Sequence, residues 1–266
     1  MLALPDFEKK ILTLPQSECP VSHFFGDNIY IRQVVIPAGT FAIGHKQKTK
    51  HLNIFLSGVL CVMVDGIPKI INAPLTFVSE PGQKIGYAVT DVVWQNVYAT
   101  SETDIDKLED MFIEKSEIWN VHNQYQDYTY TEKYRLDYKN FLNEYGFSEE
   151  QIRKDSERNE DVIELPIEYQ QFIQIRSSHI EGKGVFLSFP VRSGAIIAPC
   201  RINEKRTTVG RYLNHSPEPN CVFCTAENEN IYIKAKQDIN GCIGGNQGTE
   251  LTVDYRQIGE VIKCQV

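Results

Sequence analysis

The sequence has no apolar run that approaches the roughly 18 residues needed to cross a bilayer as a helix. Hydrophobic residues make up 42% of the chain and charged residues 23%, which is typical of a soluble globular protein. A length of 266 residues favours two domains, each with its own core. We therefore expect no membrane partner.

The N-terminus lacks the basic stretch that begins a secretory signal peptide. Acidic residues follow soon after Met1, at Asp6 and Glu8. The 7 cysteines are scattered and odd in number, which favours reduced thiols over a disulfide framework. Both features predict a cytoplasmic protein.

A basic stripe is missing as well. The net charge of −8 is unevenly distributed along the chain. Residues 1–100 carry 8 basic and 7 acidic side chains, residues 101–170 carry 8 and 19 (a net charge of −11), and residues 171–266 carry 11 and 9. A chain without clustered positive charge is a poor binder of phosphate backbones, so we expect no direct contact with nucleic acid.

Short β-branched or aromatic runs, separated by glycine and proline turns, occupy residues 1–100. The runs are 29–31, 34–36, 52–56, 59–64 and 92–94. Strands of this length and spacing predict a β-sandwich or barrel.

Residues 101–170 are predicted to form an acidic helical connector. Residues 104–115 and 131–145 place apolar side chains at helical spacing. Gly146 can end the second helix, and Ser148 with Gln151 has the spacing of a capping box that opens a third. The acidity of this segment predicts a solvated face, with docking of a basic partner as the alternative.

Strand-like runs return at 172–175, 185–187, 195–198 and 231–235, with three motifs among them. The motifs are Gly182-Lys183-Gly184-Val185-Phe186, then Arg211-Tyr212-Leu213-Asn214-His215-Ser216 continuing to Pro219-Asn220-Cys221, and Glu250-Leu251-Thr252-Val253-Asp254-Tyr255. In this order they closely resemble the SET methyltransferase family over residues 171–266. The predicted fold is mainly β: a barrel in 1–100, the connector in 101–170 and a SET-like domain in 171–266.

The resemblance implies that the chain binds S-adenosylmethionine. The cofactor-binding residues it assigns are Gly182, Lys183, Gly184, Arg211, Tyr212, Asn214 and His215. Backbone around the paired glycines would approach the methionine end of the cofactor, where a side chain would obstruct contact. Asn214 and His215 would bind its amino-acid and adenine portions.

The same resemblance places Tyr255 beside the transferring methyl group, because the family threads its C-terminal segment past the Asn-His loop in a knot-like arrangement. Lysine has a pKa of about 10.4, so the attacking amine must first lose a proton, and no metal is needed. Tyr255 would orient the amine and stabilise the transition state. The alternative for Tyr255 is a buried structural tyrosine.

The chain departs from the family on the substrate side. Typical members carry a sizeable insert before the Asn-His motif that builds much of the substrate groove, whereas only residues 201–210 stand here. Histone-directed members also bind zinc through a cysteine after Asn-His-Ser and a cysteine-rich tail. Here those positions hold Pro217 and a lone Cys264, so we predict a truncated substrate region.

Cys221 and Cys224 have zinc-knuckle spacing, and Cys242 with Cys264 could complete four thiolates. The first pair lies in a predicted strand, however, where residues three apart point to opposite faces. We therefore predict that these cysteines bind no metal.

The N-terminal barrel resembles the cupin family. The resemblance rests on the spacing Gly39-x5-His45-x-Gln47-x3-His51-x6-Gly58. Cupins bind a metal through two histidines and a glutamate of this motif, but here Gln47 replaces the second histidine and His51 the glutamate. Two imidazoles and an amide could bind a divalent ion weakly, yet three lysines crowd the same loop with positive charge. We predict a metal-free barrel that serves as a ligand pocket or assembly surface, with His45 and His51 as ordinary loop histidines the alternative.

Two hypotheses of different classes follow. The leading one is an S-adenosylmethionine-dependent protein-lysine methyltransferase acting on a basic protein or peptide. The other is a structural or assembly protein, with homo-oligomers formed through the barrel, because tandem cupin-like and SET-like segments resemble tailed-phage proteins in domain order. Its location would then be the host cytoplasm or the virion. A third hypothesis, a small-molecule cupin enzyme, requires bound metal.

Overall fold

The computed structural model describes residues 4–64, 67–123, 131–225 and 230–258. Its helices are α1 (Leu4–Leu12), α2 (Ile105–Phe112), α3 (Glu117–Asn123), α4 (Thr131–Tyr145), α5 (Glu149–Glu157), α6 (Ile167–Gln170) and α7 (Thr208–Tyr212). The strands of the first half are β1 (Val21–Gly26), β2 (Ile29–Ile36), β3 (Phe41–Ile43), β4 (Lys46–Gln47), β5 (His51–Ser57), β6 (Val59–Val64), β7 (Ile67–Asn72), β8 (Leu75–Ser79), β9 (Ile85–Ala88), β10 (Val92–Ala99) and β11 (Ile113–Glu114). The later strands are β12 (Val162–Ile163), β13 (Ile173–Ser177), β14 (Lys183–Leu187), β15 (Ile196–Ile202), β16 (Lys205–Thr207), β17 (Asn214–His215), β18 (Cys221–Thr225), β19 (Ile231–Ala235) and β20 (Thr252–Val253).

The chain is mainly β, as predicted, and its residues group into two compact units. The first unit contains residues 1–126 and 242–247, and the second contains residues 127–241 and 248–266. The segment that the sequence predicted as one connector is shared between them, since α2 and α3 belong to the first unit and α4 to α6 to the second. Among the helices described, none has the length and apolar character that a membrane crossing demands.

The first unit is a two-sheet barrel. One sheet has the order β1-β2-β10-β5-β8 and the other the order β3-β9-β6-β7. Burial alternates along β10, where every second residue from Val92 to Tyr98 is buried, as expected of strands with one face in the core. Phe55, Leu60 and Trp94 are among the side chains that fill the space between the sheets.

The strands differ from the sequence prediction in two respects. The predicted runs 29–31 and 34–36 are one continuous strand, β2, because the polar residues between them sit in the same ladder. Strands β1, β3, β4, β7, β8 and β9 lie outside the predicted runs. They are short or contain polar residues, and pairing with neighbouring strands stabilises them.

The predicted helices are confirmed. Asp104 caps α2 by accepting hydrogen bonds from two N–H groups of its first turn, and Leu108 and Phe112 pack on Tyr30 of the barrel. At the end of α4, Gly146 adopts φ +69°, the left-handed conformation that favours glycine at a helix end.

The second unit is built from small sheets around one core. A five-stranded sheet has the order β12-β16-β15-β19-β18, β13 pairs with β14, and β17 pairs with β20. Val185, Ile233 and Leu251 are fully buried at the centre of this core. Ser148 Oγ caps α5 by accepting a hydrogen bond from the Gln151 N–H at 3.1 Å.

Candidate functional site

The parallel pairing of β17 with β20 brings the Asn-His motif and the last motif together. Asn214 pairs with Thr252, and His215 pairs with Val253. Tyr255 follows two residues after this pairing. Segments that are almost forty residues apart in the printed sequence therefore lie side by side.

The turn that leads into Asn214 depends on α7. Thr207 Oγ1 caps this short helix by accepting a hydrogen bond from the Gly210 N–H at 3.3 Å. A Cβ atom at Gly210 would lie 2.2 Å from the carbonyl oxygen of Cys200. Only glycine lets α7 approach β15 this closely, and the approach determines where the chain enters the Asn-His motif.

Oxygen atoms surround the side-chain amide of Asn214. Its Nδ2 lies 2.8 Å from Glu250 Oε1, 3.0 Å from Ser178 Oγ, 3.1 Å from the Lys183 carbonyl and 3.2 Å from the Glu181 carbonyl. An amide nitrogen carries two hydrogens, so these four acceptors outnumber the donors that face them. We call this group the oxygen cluster, and it favours a further donor or a cation.

Glu250 carries the charge of the oxygen cluster. Both of its carboxylate oxygens accept from Ser178 Oγ, at 2.9 and 2.8 Å. Burial raises the pKa of Glu250 above its ordinary value, although the hydrogen bonds from Asn214 and Ser178 act in the opposite direction. A cationic ligand beside this carboxylate would offset part of the cost of burying its charge.

The two glycines of the first motif have different surroundings. A Cβ atom on Gly184 would lie 2.3 Å from Glu250 Oε1, whereas one on Gly182 would meet nothing within 4 Å. Gly182 has φ +51°, which favours glycine, and its carbonyl accepts from the Ser178 N–H at 2.9 Å. The room at Gly184 is taken by the Glu250 side chain, so the cofactor contact implied for these glycines stays a prediction.

Tyr255 points its hydroxyl at the chain beside Asn214. The hydroxyl donates to the Leu213 carbonyl at 2.6 Å. The ring lies 5.2 Å from that of His215 and meets Phe141 edge-on at 5.9 Å. Burial raises the pKa of Tyr255 above its ordinary value, so at neutral pH the hydroxyl is a hydrogen-bond donor.

The His215 imidazole is buried and bonded on both ring nitrogens. Nδ1 accepts from the Tyr255 N–H at 3.2 Å, so the proton is on Nε2, which donates to Asp137 Oδ2 at 2.8 Å. Arg256 Nη1 donates to the same carboxylate oxygen at 3.0 Å. The Arg256 guanidinium and His215 hold the pKa of the Asp137 carboxyl below its ordinary range. The side chain of His215 thus fixes the backbone of Tyr255.

Helix α4 forms an aromatic wall over the last motif. Phe141 is buried and stacks on His215 with ring centroids 5.9 Å apart. Tyr138 meets the Tyr255 ring edge-on at 6.3 Å. The acid that bonds His215 and the rings that cover Tyr255 therefore come from a helix outside the segment where the motifs lie.

Arg211 and Tyr212 contact other groups. Arg211 Nη1 hydrogen-bonds Asn159 Oδ1, and its guanidinium lies 5.3 Å from the centroid of the Tyr212 ring. Tyr212 itself packs against the core of the second unit. Among the residues that the structure describes, these contacts of Arg211 and Tyr212 do not include the oxygen cluster.

Sequence reasoning missed four residues of this site. They are Asp137, Phe141, Ser178 and Glu250. Glu250 is the first residue of the third motif, so the motif itself points to it. Aromatic residues recur at helical spacing along α4, at Tyr134, Tyr138, Phe141 and Tyr145, which indicates a packed face of this helix. Ser178 stands in a turn and carries no comparable signal.

In the barrel, the three residues of the cupin-like motif have protein partners. Gln47 Oε1 accepts from Tyr98 Oη at 2.5 Å. His51 Nδ1 donates to the Thr49 carbonyl at 2.9 Å, and its Nε2 lies 3.3 Å from Lys84 Nζ. His45 meets the Trp119 ring edge-on at 5.0 Å. Within the described ranges no three His, Cys, Asp or Glu side chains cluster as metal ligands would, and the metal-free barrel stays a prediction.

Two cysteines of the possible zinc set share one strand. Cys221 and Cys224 lie on β18, which confirms the predicted strand. Burial raises the pKa of the Cys221 thiol to about 12, so this sulfur is a protonated apolar side chain at neutral pH. Cys242 belongs to the first unit, and Cys264 lies outside the described residues.

One family model matches the chain in comparisons with known proteins. The family model described as "SET domain" matches residues 80–256, which is more than half of the chain. None of the curated proteins matches it.

Solved structures to which the chain is similar are cupins. A cupin-2 domain containing protein from Shewanella frigidimarina NCIMB 400 is 13% identical, with a TM-score of 0.26, and the match covers 35% of this chain and 91% of that one. An RmlC-like cupin family protein with a double-stranded β-helix fold from Methanocaldococcus jannaschii is 16% identical, with a TM-score of 0.27, and the match covers 34% and 85%.

Proposed function

The chain belongs to the SET-domain family of methyltransferases, and on that premise we propose that it transfers a methyl group from S-adenosylmethionine to a lysine of a basic protein or peptide. The observation that carries the proposal is the oxygen cluster, which includes Glu250 of the motif that ends at Tyr255. It combines a partly buried carboxylate with more acceptors than donors. Its Asn214 directly follows Leu213, whose carbonyl accepts from the Tyr255 hydroxyl.

The residues present fit this cofactor. Its methionine portion bears an ammonium group, for which Glu250, Ser178 and the Lys183 carbonyl offer acceptors at hydrogen-bonding distances from a common donor, Asn214. A charge-assisted hydrogen bond to a partly buried carboxylate is stronger than one between neutral groups. When bound, the cofactor supplies a methyl group made electrophilic by a sulfonium.

The residues of the chain must hold the substrate lysine as a neutral amine. The rings of Tyr138, Phe141 and Tyr255 are a low-dielectric surface, and desolvation beside them would lower the pKa of a lysine from about 10.4. The Tyr255 hydroxyl and the Leu213 carbonyl are the polar groups available to orient the amine nitrogen. The transferred methyl group would come from the bound cofactor, and these two polar groups would hold the amine that receives it.

Recognition of a basic substrate is supported by the charge of the segment before the SET motifs. Residues 101–170 carry 19 acidic and 8 basic side chains. Glu144, Glu149 and Glu150 are exposed at the junction of α4 with α5, in the same unit as Tyr255. Such a field favours a lysine-rich partner.

The test separates cofactor binding from transfer. Calorimetry should detect S-adenosylmethionine or its demethylated product on the natural chain, and Asn214→Ala should abolish that binding. Absence of binding to the natural chain would sink the proposal.

Tyr255→Phe should retain cofactor affinity and lose transfer to a lysine-rich peptide by roughly a hundredfold, because it removes one hydroxyl that faces the reacting amine. Tyr145→Phe, on the exposed end of α4, is the matched control and should transfer normally. Equal activity of the Tyr255→Phe and natural chains would exclude Tyr255 as the catalytic residue.

A second candidate function, assembly through the barrel, is favoured by exposed apolar side chains on strands at the sheet edges. Ile67 and Ile70 on β7 are 61% and 66% exposed, and Val78 on β8 is 57% exposed. Such residues suit a second copy of the chain. Light scattering of the purified protein decides the point, because a monomer at high concentration would rule out this role for the barrel.

A further inference from the structure

A polar layer crosses the interior of the barrel. Arg32 on β2 pairs with Asn96 on β10, and Asn96 also pairs with Asn53 on β5. All three side chains face inward, between an apolar cluster that contains Trp94 and an aromatic cluster that contains Tyr98. Burying polar groups at mid-barrel costs free energy unless each is hydrogen-bonded.

The amides of this layer satisfy one another. Asn53 Oδ1 accepts from Asn96 Nδ2 at 2.9 Å and from Trp94 Nε1 at 3.2 Å. Asn53 Nδ2 donates to Ser79 Oγ at 3.0 Å. The Asn53 amide therefore needs no ligand to complete its hydrogen bonds.

Arg32 is different. Its side chain is 13% exposed, and its buried Nε has no hydrogen-bond partner in the part of the chain that the structure describes. The nearest carboxylate oxygen, Glu109 Oε1, is 4.0 Å away. Glu109 Oε2 is bound by Lys115 Nζ at 2.8 Å, so two cations share one carboxylate and the surplus charge is positive.

This guanidinium lines a cavity of about 420 Å³ inside the first unit. Apolar side chains such as Ile36, Leu60 and Val62 form much of its wall. Lys84 adds a second cation to the lining, and Glu8 adds a carboxylate whose Oε1 accepts from Ser116 Oγ at 2.7 Å. A cavity of this size accommodates a small organic molecule.

We propose that the barrel cavity binds a small carboxylate with an apolar tail, held at its charged end by Arg32. The planar guanidinium matches the geometry of a carboxylate. The tail would replace water along the apolar wall. The site is separate from the oxygen cluster, so this proposal stands or falls independently of methyl transfer.

The chain carries its own reporter for this site. It has 2 tryptophans, and both of them, Trp94 and Trp119, line the cavity. Titration of the full chain with octanoate, which does not absorb in the tryptophan range, should therefore give a saturable change in fluorescence. Octan-1-ol has the same tail without the charge and should bind roughly tenfold more weakly or worse. Absence of saturable binding, or equal affinity for the two probes, would overturn the proposal.

Variants localise the charge that is responsible. Arg32→Met should lose the preference for octanoate over octan-1-ol and still bind the alcohol. Lys50→Met removes an exposed lysine that pairs with Glu80 on the same barrel and should leave the preference intact. An unchanged preference in Arg32→Met contradicts the assignment. If that variant does not fold, the comparison of the two probes on the natural chain still decides.

Discussion

At the scale of single residues, the partly buried carboxylate of Glu250 packs against the backbone of Gly184. The carboxylate occupies the space that a side chain at position 184 would need, so Gly184 and Glu250 depend on each other. A raised carboxyl pKa means that ionisation costs stability in the folded state, and that this cost appears as the pH rises above the ordinary value of 4.5.

Glu250→Gln should therefore stabilise the chain near neutral pH while weakening the cofactor site. The amide keeps the shape and the bond from Asn214 but carries no charge. We expect the thermal midpoint at pH 7 to rise, with the gain vanishing below pH 4.5, and cofactor affinity to fall roughly tenfold. Scanning calorimetry and titration measure the two effects.

The control for this substitution is Glu181→Gln, since the Glu181 side chain is exposed nearby. It should change neither quantity by much. A Glu250→Gln chain that melts lower than the natural chain at pH 7 would contradict the account of Glu250.

His45 makes the free energy of unfolding depend on pH. Burial, with the neighbouring Arg32 charge, lowers the pKa of His45 from 6.5 to about 4. Between these values the unfolded chain binds a proton that the folded chain does not, so stability falls as the pH drops from about 6.5 towards 4.

His45→Phe keeps an aromatic ring against Trp119 and removes this titration. Between pH 7 and pH 5 the natural chain should lose about 1–2 kcal/mol more unfolding free energy than the variant. Urea unfolding at the two pH values gives the comparison. His122→Phe, at an exposed position of α3, should behave like the natural chain, and parallel losses in all three would refute the role of His45.

At the scale of elements, α4 is the helix that joins the middle of the chain to the site. It contributes Asp137 to His215 and Phe141 to the aromatic contacts of Tyr255. Through these contacts α4 covers the last motif. Its packing should therefore affect both folding and transfer.

Phe141→Ala should cost about 3–5 kcal/mol of stability, because it opens a cavity at a buried position. Leu136→Ala on the same helix removes a side chain that is 63% exposed and should cost about 0.5 kcal/mol or less. Denaturant unfolding of both variants checks this. Similar costs at the two positions would mean that α4 does not pack on the last motif.

At the scale of the whole molecule, the net charge of −8 is concentrated in residues 101–170. Attraction between exposed charges is screened over a Debye length of about 10 Å at 0.1 M salt and about 3 Å at 1 M. The charge pattern should therefore govern capture of a basic substrate more than the chemical step.

For a lysine-rich peptide, raising sodium chloride from 0.05 M to 0.5 M should increase KM roughly severalfold, because salt screens the surface charges that attract the peptide. The value of kcat should stay nearly unchanged. A peptide with one lysine among neutral residues is the control and should show little change. If the KM for the lysine-rich peptide did not change with salt concentration, the acidic segment would take no part in recognition. Initial rates at each salt concentration provide the measurement.

The sequence by itself determined the mainly β class, the helices of the middle segment with the end signals at Gly146 and Ser148, and membership of the SET-domain family. These features depend on local periodicity, turn chemistry and ordered motifs, all of which are written in consecutive residues.

Only the tertiary structure decided which side chains meet. Asp137 reaches His215 across 78 residues, Ser178 reaches Glu250 across 72, and Arg32 faces a cavity without a partner for its Nε among the described residues. Such contacts depend on how strands pair and on which face of a helix packs inward, and that pairing is settled by burial and hydrogen bonding over the whole fold.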